Sequence, residues 1–176
     1  YQSFYALLKK IEDDPEYDKK RAQKKLKAYV ESHEHAIKKK AILMIQHFLE
    51  NVVRTKKIGG LAKAMLVTSS RANAVKYKKA FDDYLNKINS PYKAIVAFSG
   101  EIDGQTEAQL NGFPSASIPG EFEKSDFRFL IVANKFQTGF DQPLLHTMYV
   151  DKQLGGVNAV QTLSRLNRSH PLKKDT

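Results

Sequence analysis

Apolar residues along this chain keep two different periods, and the change between them falls near residue 60. Ile37, Ala41, Met44, Ile45, Phe48 and Val52 recur at steps of three and four, which draws one apolar stripe along a helix and predicts one or two helices over 16–57. Lys38, Lys39 and Lys40 begin beside that stripe and stay partly solvated. Gly59-Gly60 then interrupts the pattern, an expected boundary between a basic helical segment (1–60) and a core domain (61–176). Beyond it, short apolar runs alternate with helical stretches. AMLVT (64–68), YKAIVAF (92–98), RFLIVA (128–133) and TMYV (147–150) read as strands. Runs this continuously apolar suit strands buried on both faces, as in parallel α/β layers. Ser69 or Ser70 is placed to cap a helix over 71–88, which would bury Tyr77, Phe81, Tyr84, Leu85 and Ile88 and expose Lys76, Lys78, Lys79 and Asp82. Polar residues 99–120, with several Gly and Pro, read as a long surface loop. The expected fold class is α/β: a mainly parallel sheet flanked by helices, preceded by a helical segment.

Charge narrows the choice of partner. The 176 residues carry 29 Lys and Arg against 19 Asp and Glu, a net charge of +10, and a polyanion is the default partner for such a surface. Residues 1–60 hold 14 of the cations against 8 of the carboxylates, densest in KKRAQKKLK (19–27) and KKK (38–40). Nucleic acid is favoured over a membrane because no strongly amphipathic terminal anchor accompanies the charge. A solvated basic helix surface is the plainer alternative. The absence of cysteine excludes disulfides, thiolate metal sites and a thiol nucleophile. No run approaches the roughly 18 apolar residues of a membrane span, and no signal peptide opens the chain. A first residue that is Tyr1 rather than Met, and a polar LKKDT end, lead us to expect a piece of a longer protein.

Candidate chemistry gathers late in the chain, in FLIVANKFQTGFDQPLLHTMYVD (129–151) and QTLSRLNR (161–168). The first reads as a strand, a Thr-Gly-x-Asp turn and a second strand. In the second, helical spacing puts Gln161, Arg165 and Arg168 on one face and Val160, Leu163 and Leu166 on the other, where they would pack on the sheet. Guanidinium groups suit planar, bidentate grips on phosphate oxygens better than lysine does. Offered from one lobe to a nucleotide held by another, an arginine stabilises the charge of phosphoryl transfer. A solvated helix end with cations set against its dipole is the alternative. His33, His35, His47, His146 and His170 show no metal-ligand spacing.

Together these segments resemble the second motor lobe of superfamily 2 helicases. More narrowly, they resemble the restriction (motor) subunit of type I restriction-modification enzymes. The likeness spans roughly 35–170 and is carried by HAIKKKAILMIQHFLENVV (35–53), KAMLVTSSRANAVKYKKAFD (63–82), AIVAFSGEI (94–102), NGFP (111–114), FRFLIVANKFQTGFDQPLLHTMYVDKQL (127–154) and AVQTLSRLNR (159–168). It implies a RecA-like domain for 61–176. Thr138 and Gly139 match the Thr-Gly of the family's fifth motif, Thr138 towards the DNA backbone and Gly139 towards the nucleotide. Asp141 matches that motif's aspartate, which reaches the ribose or couples the two sites. Gln161, Arg165 and Arg168 match the sixth motif and imply ATP contacts, with Arg165 and Arg168 as the catalytic pair. Ser164 stands where many superfamily 2 proteins have glycine. Thr68, Ser69, Ser70 and Arg71 fall in the fourth-motif region, and Ser99 and Gly100 end the second strand. All six are candidate DNA-backbone contacts, since ligands of open α/β sheets sit at the carboxyl ends of strands.

The resemblance further implies an ATP-dependent double-stranded DNA translocase within a type I site-specific deoxyribonuclease of the bacterial or archaeal cytoplasm. Its cofactors would be ATP and Mg2+. Its partners would be double-stranded DNA, the first motor lobe and nuclease domain of the same subunit, and the modification and specificity subunits. The chain itself has no GxxxxGK[ST] loop, no acidic pair after a strand to hold Mg2+, and no nuclease core of spaced Asp, Glu and Lys. It would then supply half of an ATPase cleft and be inactive alone. Two alternatives stand beside this: a non-catalytic DNA- or subunit-binding module on the same fold, and a nucleotide-sugar transferase whose Arg165 and Arg168 hold a diphosphate.

Overall fold

Strand residues alternate between two packed faces, and that alternation organises the protein. The computed structural model describes residues 33–136 and 140–173. Helix α1 (Glu34–Phe48) runs into a π-helical turn (Leu49–Val53) and a left-handed turn at 56–60, followed by strand β1 (Lys63–Thr68), helix α2 (Arg71–Lys87) and strand β2 (Lys93–Ala97). A two-stranded hairpin, β3 (Glu101–Ile102) and β4 (Gln105–Thr106), leads to α3 (Glu107–Asn111), a 3-10 turn (Ser115–Ser117) and α4 (Ile118–Glu123). Strands β5 (Phe127–Val132) and β6 (Leu145–Asp151), helix α5 (Gly156–Leu163) and a 3-10 turn (Ser164–Asn167) complete the order.

The four long strands form one parallel sheet in the order β2-β5-β1-β6, with Leu66 of β1 level with Ile131 on one side and Tyr149 on the other. This is the expected α/β arrangement. Ala64, Leu66, Ala94, Val96, Phe129 and Ile131 turn to one face, beneath Ile37, Ala41, Ile45 and Phe48 of α1 and Ala74, Tyr77, Phe81 and Leu85 of α2. Phe48 and Phe81 meet Phe129 edge-on, with centroids 4.8 and 5.2 Å away; each such pair adds about 0.5–1.5 kcal/mol beyond the burial of its area. Met65, Val67, Ile95, Ala97, Leu130 and Val132 turn to the other face, under Ile118 and Phe122 of α4 and Phe140 of the β5–β6 crossover.

Polar contacts fix α1 to the sheet edge. Lys40 pairs with Asp151 at 2.7 Å, and the Tyr77 hydroxyl donates to the other Asp151 oxygen at 2.6 Å. The Tyr149 hydroxyl donates to the Met44 carbonyl at 3.0 Å and lies 2.8 Å from His47 Nδ1. Burial raises the pKa of both phenols, and the Asp151 contact adds to the rise at Tyr77. The helix before Gly59-Gly60 and the sheet after it share one core. Of the helices expected over 16–57, the part before residue 33 lies outside the described residues.

Three expectations are corrected. Ile88 is the C-cap of α2 and is 39% exposed rather than buried, because the helix ends one residue earlier at Lys87. Lys78 is buried rather than solvated and binds Asp82 one turn on, while burial raises the Asp82 pKa. Residues 99–120 are a folded stretch rather than a loop. Thr106 and Gln109 close a capping box at the start of α3, two orphan helix donors satisfied reciprocally. Ile118 is fully buried. Asn111 donates to the Val96 carbonyl at 2.7 Å and accepts from the Val96 N–H at 2.9 Å, covering the open edge of β2 as a neighbouring strand would.

Candidate functional site

The carboxyl ends of β1, β2 and β5 lie side by side, and most of the candidate DNA-contacting residues gather there. Ser70 accepts from the Asn73 N–H at 3.1 Å and caps α2, while Ser69 Oγ accepts from the Asn73 amide at 2.9 Å. Thr68 is buried, and its hydroxyl sits 3.0 Å from the carbonyls of Ser70 and Val132. The exposed part of the 68–71 run is therefore Ser69, Ser70 and Arg71. Arg71 reaches across to donate to the Ser99 carbonyl at 2.9 Å. Next to it Gly100 has φ +79°, and a Cβ there would lie 3.0 Å from the Arg71 guanidinium. The left-handed backbone favours glycine at that position, and a side chain there would displace the Arg71 guanidinium.

The crossover from β5 to β6 meets the arginine segment. Thr138 and Gly139 lie outside the described residues, but Phe140 and Asp141 beside them are placed. Arg165 donates to the Phe140 carbonyl at 3.2 Å, and Arg168 Nε lies 3.2 Å from Asp141 Oδ1. Arg165, Arg168 and Asp141 are thus brought to one place. The Arg168–Asp141 pair is largely exposed, whereas Arg165 is half-buried and its Nε finds no acceptor among the described residues.

The route by which the arginines get there differs from the expected one. α5 ends at Leu163, the chain tightens into a 3-10 turn, and Arg168 is extended at φ −74° and ψ 130°. Gln161, Arg165 and Arg168 therefore do not share one α-helical face; Gln161 is exposed on α5, and the arginines turn back to the crossover. Val160 and Leu163 do not pack on the sheet either: Val157, Val160 and Leu163 are 70%, 69% and 45% exposed. The inward positions are Thr162, which is buried, and Leu166, which packs beside the cluster of Phe140 and Leu145. Lys173 secures the turn, its ammonium donating to the carbonyls of Leu145 at 3.0 Å, Arg168 at 3.1 Å and Leu166. Burial lowers its pKa.

Sequence reading missed Glu107, Lys135 and Lys173. Glu107 is buried, accepts from the Phe98 N–H at 2.6 Å through Oε2, and takes the Lys135 ammonium on Oε1. The Thr-x-x-Gln capping box beginning at Thr106 was the one signal that could have placed it. Among the described residues no group of three His, Asp or Glu side chains is set to hold a metal ion, and no helix is long and apolar enough to cross a membrane.

Comparison with known proteins bears on the same segments. Residues 115–176, which contain the crossover, β6, α5 and both arginines, match the family model described as type I restriction enzyme subunit R domain 3. Over part of its length the chain is similar to type I restriction endonuclease subunits. It is 33% identical over 132 residues to the putative type I restriction enzyme MjaVIIP endonuclease subunit of Methanocaldococcus jannaschii, covering 64% of this chain and 12% of that protein. To the MjaVIIIP endonuclease subunit of the same organism it is 26% identical over 157 residues, 80% of this chain and 15% of the relative. A 54-residue stretch is 43% identical to the SauCOLORF180P endonuclease subunit of Staphylococcus aureus strain COL, covering 31% of this chain and 6% of that subunit. The chain thus spans under a sixth of the length of these R-subunit relatives.

Proposed function

We propose that this R-subunit segment is the second, RecA-like motor lobe of an ATP-dependent double-stranded DNA translocase inside a type I restriction endonuclease. The observation that carries the reading is the convergence of Arg165 and Arg168 on Phe140 and Asp141. It brings two guanidinium groups to Phe140 and Asp141, next in sequence to Thr138 and Gly139, while Ser69, Ser70, Arg71, Ser99 and Gly100 follow the carboxyl ends of β1 and β2.

In this account each side chain has a stated task. Arg168 is held by Asp141 in an exposed ion pair, an interaction of about 0–1 kcal/mol, so a phosphate oxygen can draw it away at little cost. Arg165 is anchored more firmly through the Phe140 carbonyl, and its unpaired Nε marks a guanidinium whose hydrogen bonding is incomplete. When ATP is bound, its γ-phosphoryl group supplies the charge that such arginines stabilise during transfer. The Walker loop and the Mg2+ ligands come from a first lobe. Gln161 and Gly139 complete the nucleotide-facing set, and Asp141, once released by Arg168, is free to meet the ribose. Ser69, Ser70, Arg71, Ser99, Gly100 and Thr138 contact the DNA backbone, with Thr68 shaping the turn from within. Cleavage belongs to a nuclease domain of the same subunit, and recognition to the specificity and modification subunits, in the cytoplasm.

The isolated chain tests the division of labour. It should hydrolyse no ATP, and its DNA binding should be weak and fall steeply between about 50 and 200 mM salt, as expected when a few phosphates are neutralised. ATP turnover by the pure chain would contradict the account.

A further inference from the structure

The buried Glu107 carboxylate is unusual in bonding to both halves of the proposed site. Its Oε2 accepts from the N–H of Phe98, at the carboxyl end of β2 and one residue before the Ser99–Gly100 edge. Its Oε1 takes the ammonium of Lys135, in the loop that leaves β5 towards Phe140 and Asp141. Glu107 is nine-tenths buried or more, while Lys135 is about a quarter exposed. A carboxylate taken out of water stays ionised only where its oxygens are bonded and its charge is met, and here the two partners come from different functional edges.

The loop it holds is under backbone strain. Asn134 and Phe136 have φ of 63° and 62°. Asparagine tolerates the left-handed region, but a bulky residue there is strained and persists only where its surroundings enforce it. The Phe136 ring packs at a tilt against Phe140 with centroids 4.8 Å apart, and the Lys135 ammonium lies 5.3 Å from the Phe136 ring centre. Contacts are therefore continuous from Arg71 and Ser99, through Phe98, Glu107 and Lys135, to Phe136, Phe140 and Arg165. The ion pair is the step in that series that can break without unfolding a strand, because Lys135 can reach water.

We propose that Glu107 is a positioning residue that couples the Ser99–Gly100 edge to the turn at Asn134–Phe136 and, through the Phe136–Phe140 contact, to Phe140 and Asp141, so that DNA contact at the first sets the geometry of the arginines at the second. The proposal rests on the motor reading above. With the Glu107–Lys135 pair intact, a shift of the β2 end is transmitted to the strained loop. With the pair broken, the loop answers to the nucleotide alone.

The test is ATP hydrolysis by the full-length subunit in its native complex, with and without duplex DNA, for Glu107→Gln, Lys135→Met, Lys135→Arg and Arg168→Ala. Glu107→Gln and Lys135→Met should each lower DNA-stimulated turnover about tenfold, a mid-range value for coupling between sites. Unstimulated turnover and KM for ATP should stay at wild-type values while the thermal midpoint falls, because a partner of a largely buried pair is lost, and Lys135→Arg should retain most of the stimulation. Wild-type stimulation in both variants, alongside an inactive Arg168→Ala, would overturn the coupling and leave the motor reading standing. Equal loss of stimulated and unstimulated turnover with a lowered midpoint would also overturn it, assigning Glu107 to folding alone. Should Glu107→Gln fail to fold, the more exposed Lys135→Met decides. Full turnover by Arg168→Ala would remove the motor reading and the coupling with it.

Discussion

The two faces of the sheet differ in how completely they are covered. On one, α1 and α2 lay Ile37, Phe48, Tyr77 and Phe81 over Leu66, Val96 and Phe129, and Lys40, His47, Tyr77, Tyr149 and Asp151 fasten α1 to the edge. On the other, α4 and the crossover cover the centre with Phe122 and Phe140, while α5 turns Val157, Val160 and Leu163 outward. The first region satisfies its polar groups locally and holds no residue of the candidate nucleotide set. Leu43 of α1 is exposed too, but the second holds the cluster of Val157, Val160 and Leu163, the strained turn at Asn134–Phe136, the half-satisfied Arg165 and the exposed Arg168–Asp141 pair. Stability is concentrated on one face, and unspent binding capacity on the other. Elements that serve a site are commonly drawn from the less stable part of a fold.

Paired truncations give the comparison its sharpest form. Phe81→Ala removes a fully buried ring and should lower unfolding stability of the chain by about 3–5 kcal/mol. Val160→Ala on α5 should change it by no more than about 0.5 kcal/mol, as for surface positions generally. Denaturant unfolding reads both, and equal losses would erase the distinction.

A smaller effect should come from Lys63 at the start of β1. Its buried ammonium donates to the carbonyls of Lys124 at 2.8 Å and Phe127 at 2.7 Å and lies 5.0 Å from the Phe122 ring centre. Burial, with Arg128 nearby, pushes its pKa from 10.5 down to about 8. Between those values the unfolded chain binds more protons than the folded one, so Lys63 makes stability climb as pH rises through that window and adds a constant cost below it. The stability difference between the native chain and Lys63→Met should therefore shift in favour of the native chain between about pH 8 and pH 10. A pH-independent difference would show that the ammonium is not desolvated.

The residues differ in how far they could be read from sequence, for physical reasons. The four strands were legible because a parallel sheet covered on both faces demands unbroken apolar runs, and AMLVT and RFLIVA are such runs. The α1 stripe was legible because each of its members meets the same core. Residues 99–120 were not: their Gly and Pro content hid a Thr-x-x-Gln cap and the i,i+4 pair Ile118 and Phe122. Lys78 was read as solvated because the spacing that pairs it with Asp82 also fits an exposed face. At the site, the grouping of Arg165, Arg168 and Asp141 followed from resemblance, whereas the 3-10 turn that delivers the arginines left no signature in the helical spacing. Glu107 was invisible because its partners, Phe98 and Lys135, lie 9 and 28 positions away.

The most direct test of the central claim is ATP turnover by the full-length subunit carrying Arg168→Ala, with DNA retention and the thermal midpoint measured on the same preparation. An arginine that stabilises phosphoryl transfer contributes about 10³–10⁵-fold to turnover, so hydrolysis should fall by that order while DNA retention and folding are preserved. Turnover near the native rate would contradict the account and leave the Arg168–Asp141 pair as a surface contact of a binding module.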